Sequence, residues 1–231
     1  MVIAGLQKMT LLDYPGRVAC TVFAQGCNFR CPFCHNSELL DRQGSGTISK
    51  EELISFLKKR QGLLDGVCIT GGEPTLQPDL ENLIQNIKAL GYPVKLDTNG
   101  ARPEVLKRLV GEKLIDYVAM DIKNSPEEYP ATAGITRLDG VEESIRFLMS
   151  GTLDYEFRTT VVRELHTPES IKSMASWLMK LSPEHKVKRF YLQSYVNRDS
   201  VLCPGLNPPE EKMLLESAEI LRICAENVSI R

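Results

Sequence analysis

The stretch Ala19-Cys20-Thr21-Val22-Phe23-Ala24-Gln25-Gly26-Cys27-Asn28-Phe29-Arg30-Cys31-Pro32-Phe33-Cys34-His35-Asn36 runs from an apolar, strand-sized segment straight into three closely spaced cysteines. Their spacing is C-x3-C-x2-C, with the aromatic Phe33 just before the last of them. Three thiolates on one short loop can hold three irons of a four-iron cubane and leave the fourth iron without a protein ligand. An open metal position is what a reactive centre needs and a structural one avoids. The rival reading is zinc, since His35 follows Cys34 directly and completes a Cys3His set on paper. Adjacent residues seldom turn both side chains onto one ion, and structural zinc sites usually draw ligand pairs from separated segments. The sequence holds no second C-x2-C or H-x3-H pair. Disulfides fit worse, because the cysteine count of seven is odd and no secretory signal precedes them.

Composition narrows the class. At 231 residues the chain suffices for one large domain with a full core and is short for two. A net charge of −2 gives no electrostatic reason to expect nucleic acid or an anionic membrane as partner. The apolar runs are strand-sized, so no bilayer span is expected. The opening Met1-Val-Ile-Ala-Gly5 lacks a basic region before a long apolar stretch, so the expectation is a cytoplasmic protein with reduced thiols. Cys20 and Cys68 sit in apolar runs and read as buried strand thiols. Cys203 and Cys224 make no second cluster motif.

Short apolar runs alternate with amphipathic helical patterns. Strands are predicted at 19–23, 66–70, 94–98, 117–122, 155–161 and 188–194. Between them, Ser49 and Glu52 form a capping box ahead of Leu53, Phe56 and Leu57. Leu80, Leu83, Ile84 and Ile87 repeat at helical spacing, and Thr167-Pro168 opens another such stripe. Strand–helix alternation through about six units means parallel strands with helices packed outside. An open doubly wound sheet and a curved, incomplete barrel both satisfy that pattern. In either, ligands gather where strands end at their C-termini.

Polar residues fall at those ends. After the second predicted strand comes Gly71-Gly72-Glu73-Pro74, where paired glycines admit close backbone approach and Glu73 can accept from an ammonium group. A plain turn explains the same four residues equally well. The third strand ends in Asp97-Thr98-Asn99-Gly100 and the fourth in Asp121-Ile122-Lys123. Strand alternation puts Asp121 and Lys123 on one face, as a buried ion pair or a ligand clamp. The fifth strand contributes Arg158 and the sixth Gln193. The segment 197–209, rich in proline and glycine, reads as a surface linker before the last helix.

Taken together, Asp13-Tyr-Pro-Gly-Arg17, Gln25-Gly26-Cys27, Arg30-Cys31-Pro-Phe-Cys34-His35-Asn36, Gly71-Gly72-Glu73-Pro74, Asp97-Thr-Asn-Gly100 and Asp121-Ile-Lys123 resemble the glycyl-radical-enzyme activating proteins of the radical S-adenosylmethionine superfamily. These motifs span about residues 13–123, and the strand–helix rhythm extends the likeness to about 195. The opening Gly5-Leu-Gln-Lys8 and the compact length resemble most the activating proteins of anaerobic ribonucleoside-triphosphate reductase. The resemblance implies one domain over 1–231, a partial (β/α)6 barrel with parallel strands and outer helices. Its core would lie at about 17–195, with a C-terminal tail and helix at 196–231.

It also implies that Cys27, Cys31 and Cys34 hold a [4Fe–4S] cluster and that S-adenosylmethionine chelates the open iron. Phe33, Cys34 and His35 would lie along the adenine, while Gly71, Gly72 and Glu73 would meet the methionyl amino group. Asp121, Ile122 and Lys123 would contact the methionyl and ribose region. Arg158 would serve as a carboxylate contact, and Gln193 would stand in for a histidine that some members carry on the last strand. In one branch, residues matching Asp97, Thr98, the Ala119 carbonyl and Asp121 bind a monovalent cation. The implied reaction is reductive cleavage of S-adenosylmethionine to a 5′-deoxyadenosyl radical, which takes a hydrogen from a glycine of a partner glycyl-radical enzyme. Flavodoxin or ferredoxin would be the electron donor, and no side-chain general base is implied. A subtype with a ferredoxin-like insertion is excluded, because 36–64 holds no further cysteine. Two other readings remain: a radical enzyme acting on a small molecule, such as a 7-carboxy-7-deazaguanine synthase, and a zinc-binding interaction module.

Overall fold

The structure is a computed structural model and describes residues 1–41 and 47–231. Its elements alternate as the sequence predicts. They are β1 (Ile3–Thr10), β2 (Ala19–Ala24), α1 (Lys50–Lys59), β3 (Gly66–Gly71), α2 (Leu80–Ala89), β4 (Val94–Thr98), α3 (Pro103–Gly111) and β5 (Tyr117–Asp121). There follow α4 (Tyr129–Ala133), α5 (Asp139–Ser150), β6 (Asp154–Val161), α6 (Pro168–Leu181), β7 (Val187–Ser194), α7 (Glu211–Leu221) and β8 (Ala225–Ile230). The strands form one sheet in chain order, β1 to β8. The fold class is α/β, with the six predicted strands present to within a residue at each end.

Two strands lie outside that prediction. β1 pairs antiparallel with β2, and β8 pairs parallel with β7. They end the strand order and keep mostly exposed or half-exposed side chains, so neither shows the apolar run that marks a buried strand.

Contacts divide the chain into two compact units. The first holds Met1–Asn28, Glu38–Thr98 and Glu104–Ala119; the second holds Phe29–Ser37, Asn99–Pro103 and Met120–Arg231. In the first, β2, β3 and β4 pair in parallel. Helices α1 and α2 bury Leu53, Leu57, Leu83, Ile84 and Ile87. The Ser49–Glu52 capping box is formed, with Ser49 N–H donating to Glu52 at 2.7 Å and Glu52 N–H to Ser49 at 3.1 Å. In the second unit, β6, β7 and β8 pair in parallel. There α6 opens at Thr167-Pro168 with a capping box closed by Ser170. Among the described residues no helix is long and apolar enough to cross a membrane.

Candidate functional site

The first unit carries the start of the cysteine loop. Gly26 N–H donates to Leu39 O at 2.6 Å and Cys27 N–H to Leu40 O at 3.2 Å. β3 ends against this segment: Gly72 N–H donates to Ala24 O and Glu73 N–H to Gly26 O, both at 2.8 Å. A Cβ on Gly71, whose φ is +115°, would stand 2.3 Å from Ala24 N, and one on Gly72 would stand 2.2 Å from Gly26 O. The paired glycines are therefore required by the backbone of the cysteine loop, a stronger demand than the turn reading made. They deliver Glu73, which is 1% exposed, to a fixed place. Its Oε1 accepts from the backbone and hydroxyl of Thr75 and, at 2.8 Å, from the Thr98 hydroxyl. Next to Thr98, Asp97 forms an ion pair with the buried Lys95.

The second unit carries the rest of the loop. Cys34 N–H donates to Cys31 O at 3.1 Å, closing a turn, and Arg30 N–H donates to Ala133 O of α4 at 2.9 Å. Cys31 and Phe33 are buried, and the Phe33 ring meets the His166 ring edge-on at 6.4 Å. His35 Nε2–H donates to Val196 O at 2.7 Å, and its ring stacks on Tyr195 at 5.6 Å. The segment after β7 continues along the loop. Ser200 Oγ donates to His35 O at 2.8 Å, Ser37 Oγ donates to Ser200 O at 2.5 Å, and Cys203 N–H donates to Pro32 O at 2.9 Å. The 197–209 segment lies largely on the surface as expected, and Ser200 and Cys203 also strap it to the cysteine loop. Proline and glycine content reports irregular backbone and is silent about what that backbone binds.

At the end of β5, Asp121 takes Lys123 Nζ at 2.8 Å on Oδ2 and Arg158 Nε at 3.0 Å on Oδ1. Burial alone would raise the Asp121 carboxyl, but Arg158 and Lys123 outweigh it and hold the group well below the usual carboxylate range. Burial likewise opposes the Lys123 charge, and Asp121, helped by Cys31, keeps the ammonium above its ordinary value. The backbone of this segment is clamped as firmly as its side chains. Ile122 O accepts from Thr159 Oγ1 at 2.6 Å, and Ile122 N–H donates to Arg158 O at 2.8 Å. Lys123 N–H donates to the Tyr129 hydroxyl at 3.2 Å, and Lys123 O accepts from His166 Nε2 at 2.9 Å. His166 Nδ1 lies 3.1 Å from Val162 N and 3.3 Å from Val162 O, and the shorter contact, Val162 N–H donating, goes with a neutral ring protonated on Nε2. Burial pushes the His166 pKa down, as a neutral ring requires. Gln193 lies on β7 in register with Thr160.

Sequence reasoning missed His166 and Tyr195. Each follows a strand closely, the first just before the Thr167-Pro168 helix start and the second directly after β7. Position at a strand's C-terminal end was the signal available for both.

The sequence profile of the Radical SAM superfamily matches residues 21–174. The chain belongs to the radical SAM superfamily. A Methanocaldococcus jannaschii protein, provisionally named a glycyl-radical enzyme activating enzyme, is 32% identical over 99% of this chain and 95% of its own length. The pyruvate formate-lyase-activating enzyme of Clostridium pasteurianum is 28% identical over 80% of this chain and 79% of its own. Among solved structures, S-adenosylmethionine-bound SuiB of Streptococcus suis superposes with a TM-score of 0.67 over 90% of this chain and 48% of that longer one. At 15% identity it speaks for the radical SAM fold alone.

As a radical SAM enzyme the chain takes a [4Fe–4S] cluster and S-adenosylmethionine. The residues present fit the cluster. All three loop cysteines are reduced, and Cys31 and Cys34 share one hydrogen-bonded turn. His35, the fourth ligand of the zinc alternative, has its ring committed to Val196 and Tyr195.

Proposed function

We propose that this radical SAM enzyme activates a partner glycyl-radical enzyme, and that the partner is an anaerobic ribonucleoside-triphosphate reductase. The observation that carries the activase reading is end-to-end likeness to a relative named for that activity, 95% of whose length this chain covers. The choice of reductase rests on the likeness of Gly5-Leu-Gln-Lys8 and on compact length.

In this reading Cys27, Cys31 and Cys34 hold the cluster and Gly71, Gly72 and Glu73 receive the methionyl amino group. Phe33 and His35 flank the adenine; Asp121, Ile122, Lys123, Arg158 and Gln193 line the remainder. Held by those residues, the cluster and S-adenosylmethionine would supply one-electron reductive cleavage and removal of a glycine Cα hydrogen, giving methionine, 5′-deoxyadenosine and a glycine-centred radical. The chain's own work is placement and exclusion of water. Glu73, held by Thr75 and Thr98, offers an acceptor to an ammonium group. Arg158 and Lys123 keep Asp121 ionised, and His166, Tyr129 and Thr159 fix the backbone that carries both charges. A flavodoxin or ferredoxin would deliver the electron.

The test is anaerobic reconstitution with iron and sulfide, then dithionite and S-adenosylmethionine, with 5′-deoxyadenosine read by chromatography. Product that disappears in Cys31→Ala establishes the radical chemistry. A doublet from a glycine radical on added reductase establishes the activase. Protein with a verified four-iron cluster that yields neither sinks the proposal.

A further inference from the structure

The turn after β6 runs Val162-Arg163-Glu164-Leu165-His166, and His166 closes it twice. Its backbone N–H donates to Val162 O at 3.0 Å, and its Nδ1 lies 3.1 Å from Val162 N. The ring is buried, and turning it would give up the Val162 bond. What the ring presents to its surroundings is therefore fixed. Nε2 donates to Lys123 O at 2.9 Å, and the ring meets Phe33 edge-on with centroids 6.4 Å apart. Asn124 Nδ2 donates to Leu165 O at 2.7 Å, a second bond between the same two segments. All of these residues lie in the second compact unit.

An apolar side chain could fill this place against Phe33, but it would take a partner from both the Val162 N–H and the Lys123 carbonyl. A neutral histidine accepts on one ring nitrogen, donates on the other and offers an aromatic edge at the same time. The Lys123 peptide is held from its other side as well. Its N–H donates to the Tyr129 hydroxyl at 3.2 Å, and α4, which carries Tyr129, takes Arg30 N–H on Ala133 O at 2.9 Å. The loop that carries Cys31 and Cys34 thus reaches the Lys123 peptide by two routes, Phe33–His166 and Arg30–α4. Only the first joins a residue assigned to the adenine with one assigned to the methionyl and ribose region.

We infer that His166 is a positioning residue that couples the Phe33 ring to the Lys123 main chain, and so sets these two parts of the S-adenosylmethionine site together. The inference deepens the proposed function and rests on its assignment of Phe33 and Lys123 to that ligand. His166→Gln keeps an amide donor for Lys123 O and loses the ring. Reconstituted, it should bind S-adenosylmethionine about tenfold more weakly, within the usual range for coupled sites. The electron paramagnetic resonance spectrum of its reduced cluster with S-adenosylmethionine should differ from that of wild type. Phe33→Leu should weaken binding to a similar degree and the double variant no further, because residues that act through one contact are not additive. A histidine that only fills the core lowers the urea midpoint and leaves Kd and spectrum unchanged. That result in His166→Gln, or additive losses in the double variant, overturns the inference. A ligand-free measurement decides if His166→Gln does not fold. In Phe33→Leu with His166 intact, the Val162 amide, which donates to His166 Nδ1, should exchange its hydrogen about tenfold faster, within the range for residues in contact. Exchange at the wild-type rate overturns the inference. Failure of wild type to bind S-adenosylmethionine strikes the proposed site instead, while the Val162 amide continues to report on the coupling.

Discussion

Arg158 Nε reaches Oδ1 of Asp121 at 3.0 Å, while Lys123 Nζ holds the other oxygen of the same carboxylate at 2.8 Å. One half-buried anion thus meets two cations. Asp121→Asn takes the carboxylate charge from both, and because that carboxylate is only half-buried the loss falls short of the about 3–5 kcal/mol that breaking a fully buried pair costs. The variant should unfold at correspondingly lower urea concentration. Arg158→Met leaves the Asp121–Lys123 pair standing and should cost less. Equal losses in the two variants would show that Asp121 is not the shared anchor.

Two glycines with different surroundings make a paired test. Gly62 has a φ of +80° with nothing within 4 Å of an added Cβ, so Gly62→Ala meets backbone strain alone, about 1–2 kcal/mol. Gly72→Ala drives a Cβ to 2.2 Å from Gly26 O, beside Cys27. The strand end must move, and Glu73 loses its bond to Gly26 with it. Gly72→Ala should cost more than about 3 kcal/mol, in the range that needs a named packing fault, and should take up less iron on reconstitution. Iron uptake equal to that of Gly62→Ala would refute the close approach.

Much of this was legible in the sequence because the signals were local. The Ser49–Glu52 capping box and the same-face placement of Asp121 and Lys123 each follow from a few neighbouring residues, and both are formed in the structure. What stayed hidden depends on contacts distant in the chain. His166 meets Phe33 and Lys123 O, Tyr195 meets His35, and Ser200 meets His35 and Ser37. No periodicity encodes such meetings. β1 and β8 were hidden for another reason, since edge strands with exposed polar faces lack the apolar run that announces a strand.

The strap gives a prediction about the cluster's lifetime. Ser200 accepts from Ser37 and donates to His35, so its backbone and side chain both hold the loop segment that follows Cys34. Each such hydrogen bond contributes about 0.5–1.5 kcal/mol. Ser37→Ala with Ser200→Ala should leave the fold intact and free this segment. Loss of the cluster's visible absorbance in air should then quicken about tenfold, the factor that corresponds to 1.4 kcal/mol. Bleaching at the wild-type rate would remove the strap from any role in protecting the loop.

His166 makes stability fall on the acid side of neutrality. Its ring is neutral in the fold, accepting from Val162 N–H and donating to Lys123 O, and burial sets its pKa below the ordinary histidine value of about 6.5. As pH drops the unfolded chain therefore takes up the proton first. The stabilisation is complete above about pH 6.5 and declines below it, by at most about 1.4 kcal/mol per pH unit for one proton. Asp121 and Glu164, both held below the usual carboxylate range, lose their contributions only at lower pH, so the interval from about 5 to 6.5 isolates the histidine. His166→Gln keeps an amide donor for Lys123 O and does not titrate. It should be less stable than wild type at pH 7.5, yet lose less on acidification, with His35 and His185 common to both proteins. Parallel urea midpoints for the two proteins across that interval would exclude His166 as the group responsible.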